Sequence, residues 1–289
     1  MTNGPSAEGR DAAGDAGAGD AVAADERPLL GDPSYRMSDW GTLRYAFSVL
    51  WHHLCSLVLL GLLLGTLHRV TQLLVRVIVA PLTEAINEYS PFVAGVLYAA
   101  LVAWVGAAFV TGYHYAILGI SQGKKYPFER AFAVFTSGRL FLRVLGTYGC
   151  FAILFAAGQQ LAYTAIPWEY LFGDGGAFGG DLPRWAVNRL YDSVSQALGM
   201  LLGLPLLWAP LDAMACRSPV GSALRHGVQL ASANLGLTAM MAVAVCLMCV
   251  LPAGLNVIPA LIASVMQSVF YREMTWRERE PQTAAVEVA

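Results

Sequence analysis

The chain has 289 residues, of which 56% are hydrophobic and only 13% are charged, and its mean hydropathy is +0.53. Soluble domains usually carry about a quarter charged residues, so the composition excludes an ordinary soluble globular protein and indicates a polytopic membrane protein. The net charge of −2 is uninformative as a total, but the sequence lacks a basic, aromatic platform, so we expect no nucleic-acid partner.

The first 37 residues are rich in Ala, Gly and Asp and have no apolar core of a cleavable signal peptide. Such a segment buries too little apolar surface to offset its chain entropy, so residues 1–37 are predicted to be a disordered acidic tail. The tail is either a docking segment or simply solvated. Residues 38–276 are predicted to form one transmembrane domain, and 277–289 a cytoplasmic C-terminal tail.

Six apolar stretches of membrane-spanning length follow the tail. A helix needs about 20 residues to cross about 30 Å of hydrocarbon, and helices are favoured because backbone polar groups must be satisfied within lipid. The predicted fold class is therefore all-α, a six-helix transmembrane bundle. The predicted spans are 49–67, 92–115, 144–166, 194–216, 233–251 and 254–271, the last two joined by the Pro/Gly turn 251–256.

The basic residues predict how the bundle is oriented. Of the 18 Lys and Arg residues, all but four fall in segments that the six spans place on the same side as the termini. Because basic residues concentrate in cytoplasmic loops, both termini are predicted to be cytoplasmic in a multi-pass cell-membrane protein. The four exceptions are Arg69, Arg76, Arg184 and Arg189.

Three segments have the periodicity of amphipathic helices that precede a pair of spans: 39–54, 127–140 and 219–232. In the first, one side is predicted to carry Trp40, Leu43, Phe47, Leu50 and Trp51. These segments predict three repeated units, each an amphipathic helix on the cytoplasmic membrane surface followed by a helical hairpin.

Asp212 is an unusual residue, since it lies in an apolar helix two residues after Pro210. The favoured interpretation is a carboxylate at the inner end of the fourth span, where it reaches headgroup water or basic groups such as Arg217, and where Arg225 follows on the next helix. The alternative is an acid that binds substrate or couples transport.

The segment 205–237, PLLWAPLDAMACRSPVGSALRHGVQLASANLGL, is followed by the turn and by IPALIASVMQSVFYREM (258–274). This pattern resembles the C-terminal half of six-helix bacterial and archaeal membrane proteins. That group includes uncharacterised domain families and the membrane domain found beside some glycerophosphodiester phosphodiesterases. The shared features are a proline-bearing span, Asn234 at the start of the next span, and a final span ending in Tyr271-Arg272. The resemblance covers about residues 40–276 and implies a fold rather than a reaction.

No motif in the sequence has the spacing of a metal, cofactor or catalytic site. Cys246 and Cys249 form a single Cys-x-x-Cys among methionines, and His52 and His53 are adjacent, so that they point about 100° apart on a helix. Phosphate-binding glycine loops and nucleophile elbows are missing from the sequence. We therefore expect no catalytic residue, no cofactor and no metal.

The sequence favours a non-enzymatic accessory, scaffold or envelope-maintenance protein, in contact with the lipid bilayer and with membrane-protein partners or further copies of itself. The alternative is a small transporter or permease subunit for a lipid-like or hydrophobic substrate. It requires a polar interior cavity, and the candidate residues for it are His114, Gln159, Gln196 and Asp212. A membrane-embedded enzyme is the third alternative, but convergent acid and base groups are missing.

Overall fold

The computed structural model describes residues 38–124, 127–168, 184–250 and 257–287. All regular elements in these residues are helices, as predicted, and no strand occurs among them. The helices are α1 (Asp39–His52), α2 (Leu54–Asn87), α3 (Pro91–Val105), α4 (Ala107–Ser121), α5 (Pro127–Phe132), α6 (Gly138–Ala165), α7 (Arg184–Gly203), α8 (Ala209–Ala215), α9 (Val220–Ala233), α10 (Leu235–Val250) and α11 (Val257–Glu287). The predicted acidic tail, the turn 251–256 and most of the segment between α6 and α7 lie outside the described residues.

Several helices are long and apolar enough to cross a membrane. Three continuous segments meet this criterion: Leu54–Asn87, Gly138–Ala165 and Ala186–Ala215. Two bent pairs meet it when each pair is taken together: α3 with α4, bent by 47°, and α9 with α10, bent by 99°. The described residues therefore contain three to five candidate spans, which indicates a membrane protein.

Helix α2 is much longer than the predicted first span. Its 34 residues run without a break through Pro81 to Asn87, which corresponds to about 51 Å at about 1.5 Å per residue. Residues 68–78, which follow the predicted first span and carry Arg69, Gln72 and Arg76, are thus a continuation of the same helix. Large apolar side chains such as Leu59, Val77 and Ile78 point away from the bundle, as expected for a surface that faces lipid.

Helix α1 forms where the first amphipathic helix is predicted. Ser38 caps its N-terminus, since the Ser38 hydroxyl accepts a hydrogen bond from the Gly41 backbone N–H at 3.1 Å. Trp40 and Trp51 are 73% and 79% exposed, so part of the predicted aromatic side points away from the bundle. The residues of α1 that are buried against the bundle are Thr42, Ala46 and Val49.

Two glycine positions allow the helices to approach closely. Gly106 separates α3 from α4, and a Cβ there would collide with the His68 ring of α2. Gly158 of α6 faces Gly199 of α7, and a Cβ on Gly158 would lie 2.7 Å from the Gly199 Cα. The backbones of α6 and α7 therefore touch, as small residues permit at helix crossings within membranes.

The centre of the bundle lies where α4, α8 and α11 meet. Trp208, immediately before α8, is fully buried, and its indole N–H donates to the Gln267 backbone carbonyl at 3.3 Å. The Gln267 side-chain amide in turn donates to the Leu207 carbonyl at 2.9 Å. These two bonds hold the start of α8 against α11. The second also satisfies the Leu207 carbonyl at the junction of α7 and α8.

Candidate functional site: an interior cavity and a buried carboxylate

A partly open cavity of about 420 Å³ lies between the helices and contacts α2, α3, α4, α6, α7, α8, α10 and α11. Its walls are mainly aliphatic and aromatic. The polar residues that line it are His68, Gln72, Thr111, His114, Tyr148, Ser264 and Gln267. Small-molecule sites in proteins usually have about 300–1,000 Å³ and the same mixture of apolar walls and few polar groups, so the cavity has the size and chemistry of a ligand site.

Two of the polar residues that line the cavity, Thr111 and His114, lie one turn apart on α4. Thr111 is buried, and its hydroxyl oxygen has no hydrogen-bond partner among the described residues. His114, one turn further along the helix, also lines the cavity, and its backbone carbonyl accepts a hydrogen bond from the Ser268 hydroxyl at 3.1 Å. A buried hydroxyl without a partner carries a desolvation cost of about 1–3 kcal/mol.

The described walls of the cavity carry no carboxylate, ammonium or guanidinium group. A charged ligand would have to leave water without meeting an opposite charge, which costs far more than burying a neutral polar group. The cavity is therefore suited to an uncharged hydrophobic molecule with one or two hydrogen-bonding groups.

Asp212 lies in α8 directly after Pro210 and Leu211, both of which line the cavity. Its side chain is only 1% exposed. The Oδ1 atom accepts a hydrogen bond from the Tyr271 hydroxyl at 2.9 Å and lies 2.7 Å from His226 Nδ1, whereas Oδ2 is buried without a partner among the described residues. Asp212 does not reach water, because α9 and α11 cover the carboxylate, and its basic partner is His226 of α9.

His226 connects this carboxylate to a second one. Its Nε2 lies 2.7 Å from Glu278 Oε2 on α11, and the side chains of His226 and Glu278 are 26% and 49% exposed. Burial alone would lower the pKa of the His226 imidazole, but the hydrogen bonds and negative charges of Glu278 and Asp212 outweigh it and raise this pKa above 6.5. We call Asp212, His226 and Glu278 the carboxylate–histidine chain.

A second polar contact holds α1 against the same end of α11. Arg277 donates to Asp39 Oδ1 at 2.9 Å and to Glu273 Oε1 at 3.0 Å. Burial alone would lower the pKa of Arg277, but these two carboxylates raise it. One turn earlier, Arg272 donates to the Tyr45 hydroxyl at 3.0 Å. Helix α1 is therefore tied to α11 by charged groups at its start and by an aromatic residue in its middle.

The four residues expected to form one polar interior lie in different surroundings. His114 lines the cavity, while Asp212 points away into the carboxylate–histidine chain. Gln159 lies on α6 against Gly199, and Gln196 is half-buried on α7. Asp212, Gln159 and Gln196 are not among the residues that line the cavity, so the structure does not bring the four together in one cavity.

The sequence interpretation missed Thr111, His226 and Glu278. His226 follows Arg225 on the polar side of α9. Its position 14 residues after Asp212 was the sequence feature that could have suggested a contact between the two. Glu278 is 52 residues further along the chain, and no local spacing relates the two. Among the described residues, no three His, Cys, Asp or Glu side chains form a group that could hold a metal ion.

The fold and the cavity together define a class: an all-helical protein with apolar helices long enough to span a membrane and an interior cavity with uncharged walls. No protein-family model, curated protein or solved structure matches this chain. The function must therefore be argued from the cavity and from the side chains around it.

Proposed function

We propose that this protein is a multi-pass membrane protein that binds an uncharged, lipid-like or hydrophobic small molecule in its interior cavity, as a carrier or permease subunit rather than as an enzyme. The observation that carries the proposal is the cavity of about 420 Å³, whose described walls are mainly apolar and carry no charged group. A protein with a purely structural role has no need of a cavity, since tight packing is more stable.

The proposed topology has six crossings, formed by α2, by α3 with α4, by α6, by α7 with α8, by α10 and by α11, with both termini in the cytoplasm. It is supported by contacts among segments expected on the cytoplasmic side. Arg272 donates to the Ser121 carbonyl at the end of α4, and Arg143 near the start of α6 donates to the Arg217 carbonyl after α8. These basic residues thus come together at one end of the bundle, in agreement with the positive-inside rule.

The proposed membership in the six-helix bacterial and archaeal families rests on the sequence pattern around Asp212 and Asn234. It is supported by the two features of that pattern that have a structural counterpart. The helix carrying Pro210 ends at Ala215, and Asn234 stands at the 99° bend between α9 and α10. The resemblance contributes no substrate, so the ligand class is argued from the cavity alone.

The experiment compares two ligands that differ only in charge. Purified protein in nanodiscs is titrated with dodecanol and, separately, with dodecanoate at pH 8, and binding is measured by native mass spectrometry. We expect dodecanol to bind and dodecanoate to bind at least tenfold more weakly, because the cavity walls offer no charge to pair with a carboxylate. Equal binding of both, or of neither, would contradict the proposal.

Cavity-filling variants locate the ligand. Ala103 of α3 and Ala260 of α11 line the cavity, so Ala103→Phe and Ala260→Phe are expected to abolish dodecanol binding by occupying its space. Ala239 on α10 is exposed, so Ala239→Phe adds the same volume outside the cavity and should bind dodecanol like the unaltered protein. Retained binding in both filled variants would mean that the alcohol sits elsewhere.

The accessory or scaffold role is the second candidate, and one observation favours it. Trp40, Phe47 and Trp51 form an exposed aromatic side on α1, which is a surface suited to a membrane interface or to a membrane-protein partner. The two roles differ in their dependence on the cavity. Only the ligand-binding role predicts that Ala103→Phe abolishes function in cells while leaving the protein folded.

A further inference from the structure

The carboxylate–histidine chain runs from the protein surface into its interior. Glu278 is 49% exposed, His226 is 26% exposed and Asp212 is 1% exposed. Each step between them is a contact of 2.7 Å, which is the length of a charge-assisted hydrogen bond. Since the Asp212 Oδ2 atom at the inner end is buried without a partner among the described residues, the innermost carboxylate has an oxygen free to accept a proton.

The position of the imidazole between two carboxylates determines its protonation. A neutral imidazole has one N–H donor and one nitrogen lone pair. If His226 were neutral and both carboxylates ionised, that lone pair would face a carboxylate oxygen at 2.7 Å and repel it. The geometry therefore requires one proton more than a neutral histidine with two carboxylates contains, held either on the ring or on one of the acids.

Few other titratable groups contact the carboxylate–histidine chain. From α11, the Tyr271 hydroxyl donates to Asp212 Oδ1, and the Cys216 thiol that follows α8 lies 3.7 Å from that hydroxyl. On α9 itself the neighbouring charged residue is Arg225, which is exposed. Among the described residues, the titratable groups in direct contact with His226 are thus the two carboxylates, and both favour the imidazolium form.

We propose that Asp212, His226 and Glu278 form a proton-binding site that connects the surface of the protein to the helix forming one wall of the cavity. A proton from water binds Glu278 and passes to Nε2 of His226, which makes the ring an imidazolium. Its Nδ1 proton is then held between the ring and Asp212 Oδ1 and can pass to Asp212, which returns the ring to its neutral form. Because Pro210, Leu211 and Asp212 are consecutive in α8, the bound proton acts on the element that lines the cavity. This site stands independently of the proposed ligand.

The experiment reads the proton on His226 directly. The full-length protein in nanodiscs, carrying ¹⁵N-labelled histidine, is titrated by solid-state NMR, and the His226 ring signals are assigned by their loss in His226→Gln. We expect both ring nitrogens to be protonated below the midpoint, and the midpoint to lie above 6.5. A midpoint at or below 6.5, or a ring that stays neutral across the titration, would overturn the proposal.

Isosteric variants separate a proton site from a merely structural contact. Glu278→Gln and Asp212→Asn each retain size but remove a negative charge, so each is expected to lower the His226 midpoint. Glu84→Gln on α2, an exposed acid, is the matched control and should leave the midpoint unchanged. Glu278→Gln alters a half-exposed residue and is not expected to disturb the fold. A midpoint that neither Glu278→Gln nor Asp212→Asn moves would overturn the site even if the protein remains folded.

Discussion

The cavity and the carboxylate–histidine chain lie on two sides of the same short helix, α8. They differ in whether their polar groups have hydrogen-bond partners. In the cavity, the Thr111 hydroxyl is neutral and has no partner among the described residues. In the carboxylate–histidine chain, the buried carboxyl group of Asp212 is held by His226 and Tyr271. A bundle interior can leave a neutral group unpaired at modest cost, but a buried carboxylate needs partners. Substitutions that remove a polar group at the two places should therefore change stability in opposite directions.

The largest expected effect is loss of the histidine. His226→Ala leaves Asp212 buried with Tyr271 as its remaining hydrogen-bond partner, so we expect a destabilisation of about 3 kcal/mol, as when one member of a buried pair is removed. Equilibrium unfolding in mixed micelles, followed by tryptophan fluorescence, measures it. Arg225→Ala on the exposed side of α9 is the control and should change stability by less than about 0.5 kcal/mol. Similar values for the two variants would contradict the assigned contact.

A substitution at the cavity is expected to raise stability rather than lower it. Thr111→Val removes a hydroxyl that has no partner among the described residues, at nearly constant volume, so we expect the protein without ligand to gain about 1 kcal/mol. The matched control is Thr147→Val on α6, because the buried Thr147 hydroxyl already donates to the Arg143 and Val144 carbonyls, both at 3.0 Å. Thr147→Val should not be stabilised. A loss of stability in Thr111→Val would show that its hydroxyl is satisfied.

The pH dependence of stability tests the carboxylate–histidine chain independently of the cavity. The folded-state pKa of His226 is raised above 6.5, so its contribution to stability is fully present below 6.5 and is lost as the pH rises through the folded-state pKa. The unaltered protein should therefore become less stable over that range, by less than the His226→Ala effect. His226→Gln should lose this slope. The same unfolding measurement in a pH series checks it, and an unchanged slope in His226→Gln would assign the titration to another group.

The smallest effect is expected at the contact between α1 and α11. Asp39 is 35% exposed, and Arg277 retains Glu273 when Asp39 is neutralised. Asp39→Asn should therefore cost about 0.5 kcal/mol, the usual value of a partly exposed ion pair, and added salt should reduce the difference. A cost as large as that of His226→Ala would mean that α1 is essential to the bundle rather than attached to it.

The helical class followed from composition and apolar length, because lipid permits few ways to satisfy a backbone. The amphipathic helices at 39–54 and 219–232 also have counterparts in α1 and α9. The length of α2 was not predictable in the same way. Its polar residues at positions 69, 72 and 76 lie beyond the predicted span 49–67, yet the same helix continues without a break to Asn87.

The candidate site was predictable only in part. Asp212 and His114 were recognised because a polar residue in an apolar helix is costly and therefore conspicuous. Their surroundings were not predicted, since Tyr271 is 59 residues from Asp212 and Ser268 is 154 residues from His114. Such contacts depend on the way helices pack, and hydrophobic periodicity does not determine that packing. The cavity is likewise a property of several helices together.

The most direct test of the ligand-binding account is the mass of the protein as it leaves its own membrane. The protein is extracted in mild detergent and examined by native mass spectrometry beside Ala103→Phe and Ala239→Phe. The account predicts an uncharged hydrophobic adduct on the unaltered protein and on Ala239→Phe, and its absence from Ala103→Phe. An unaltered protein without any adduct, or the same adduct on all three proteins, would contradict it.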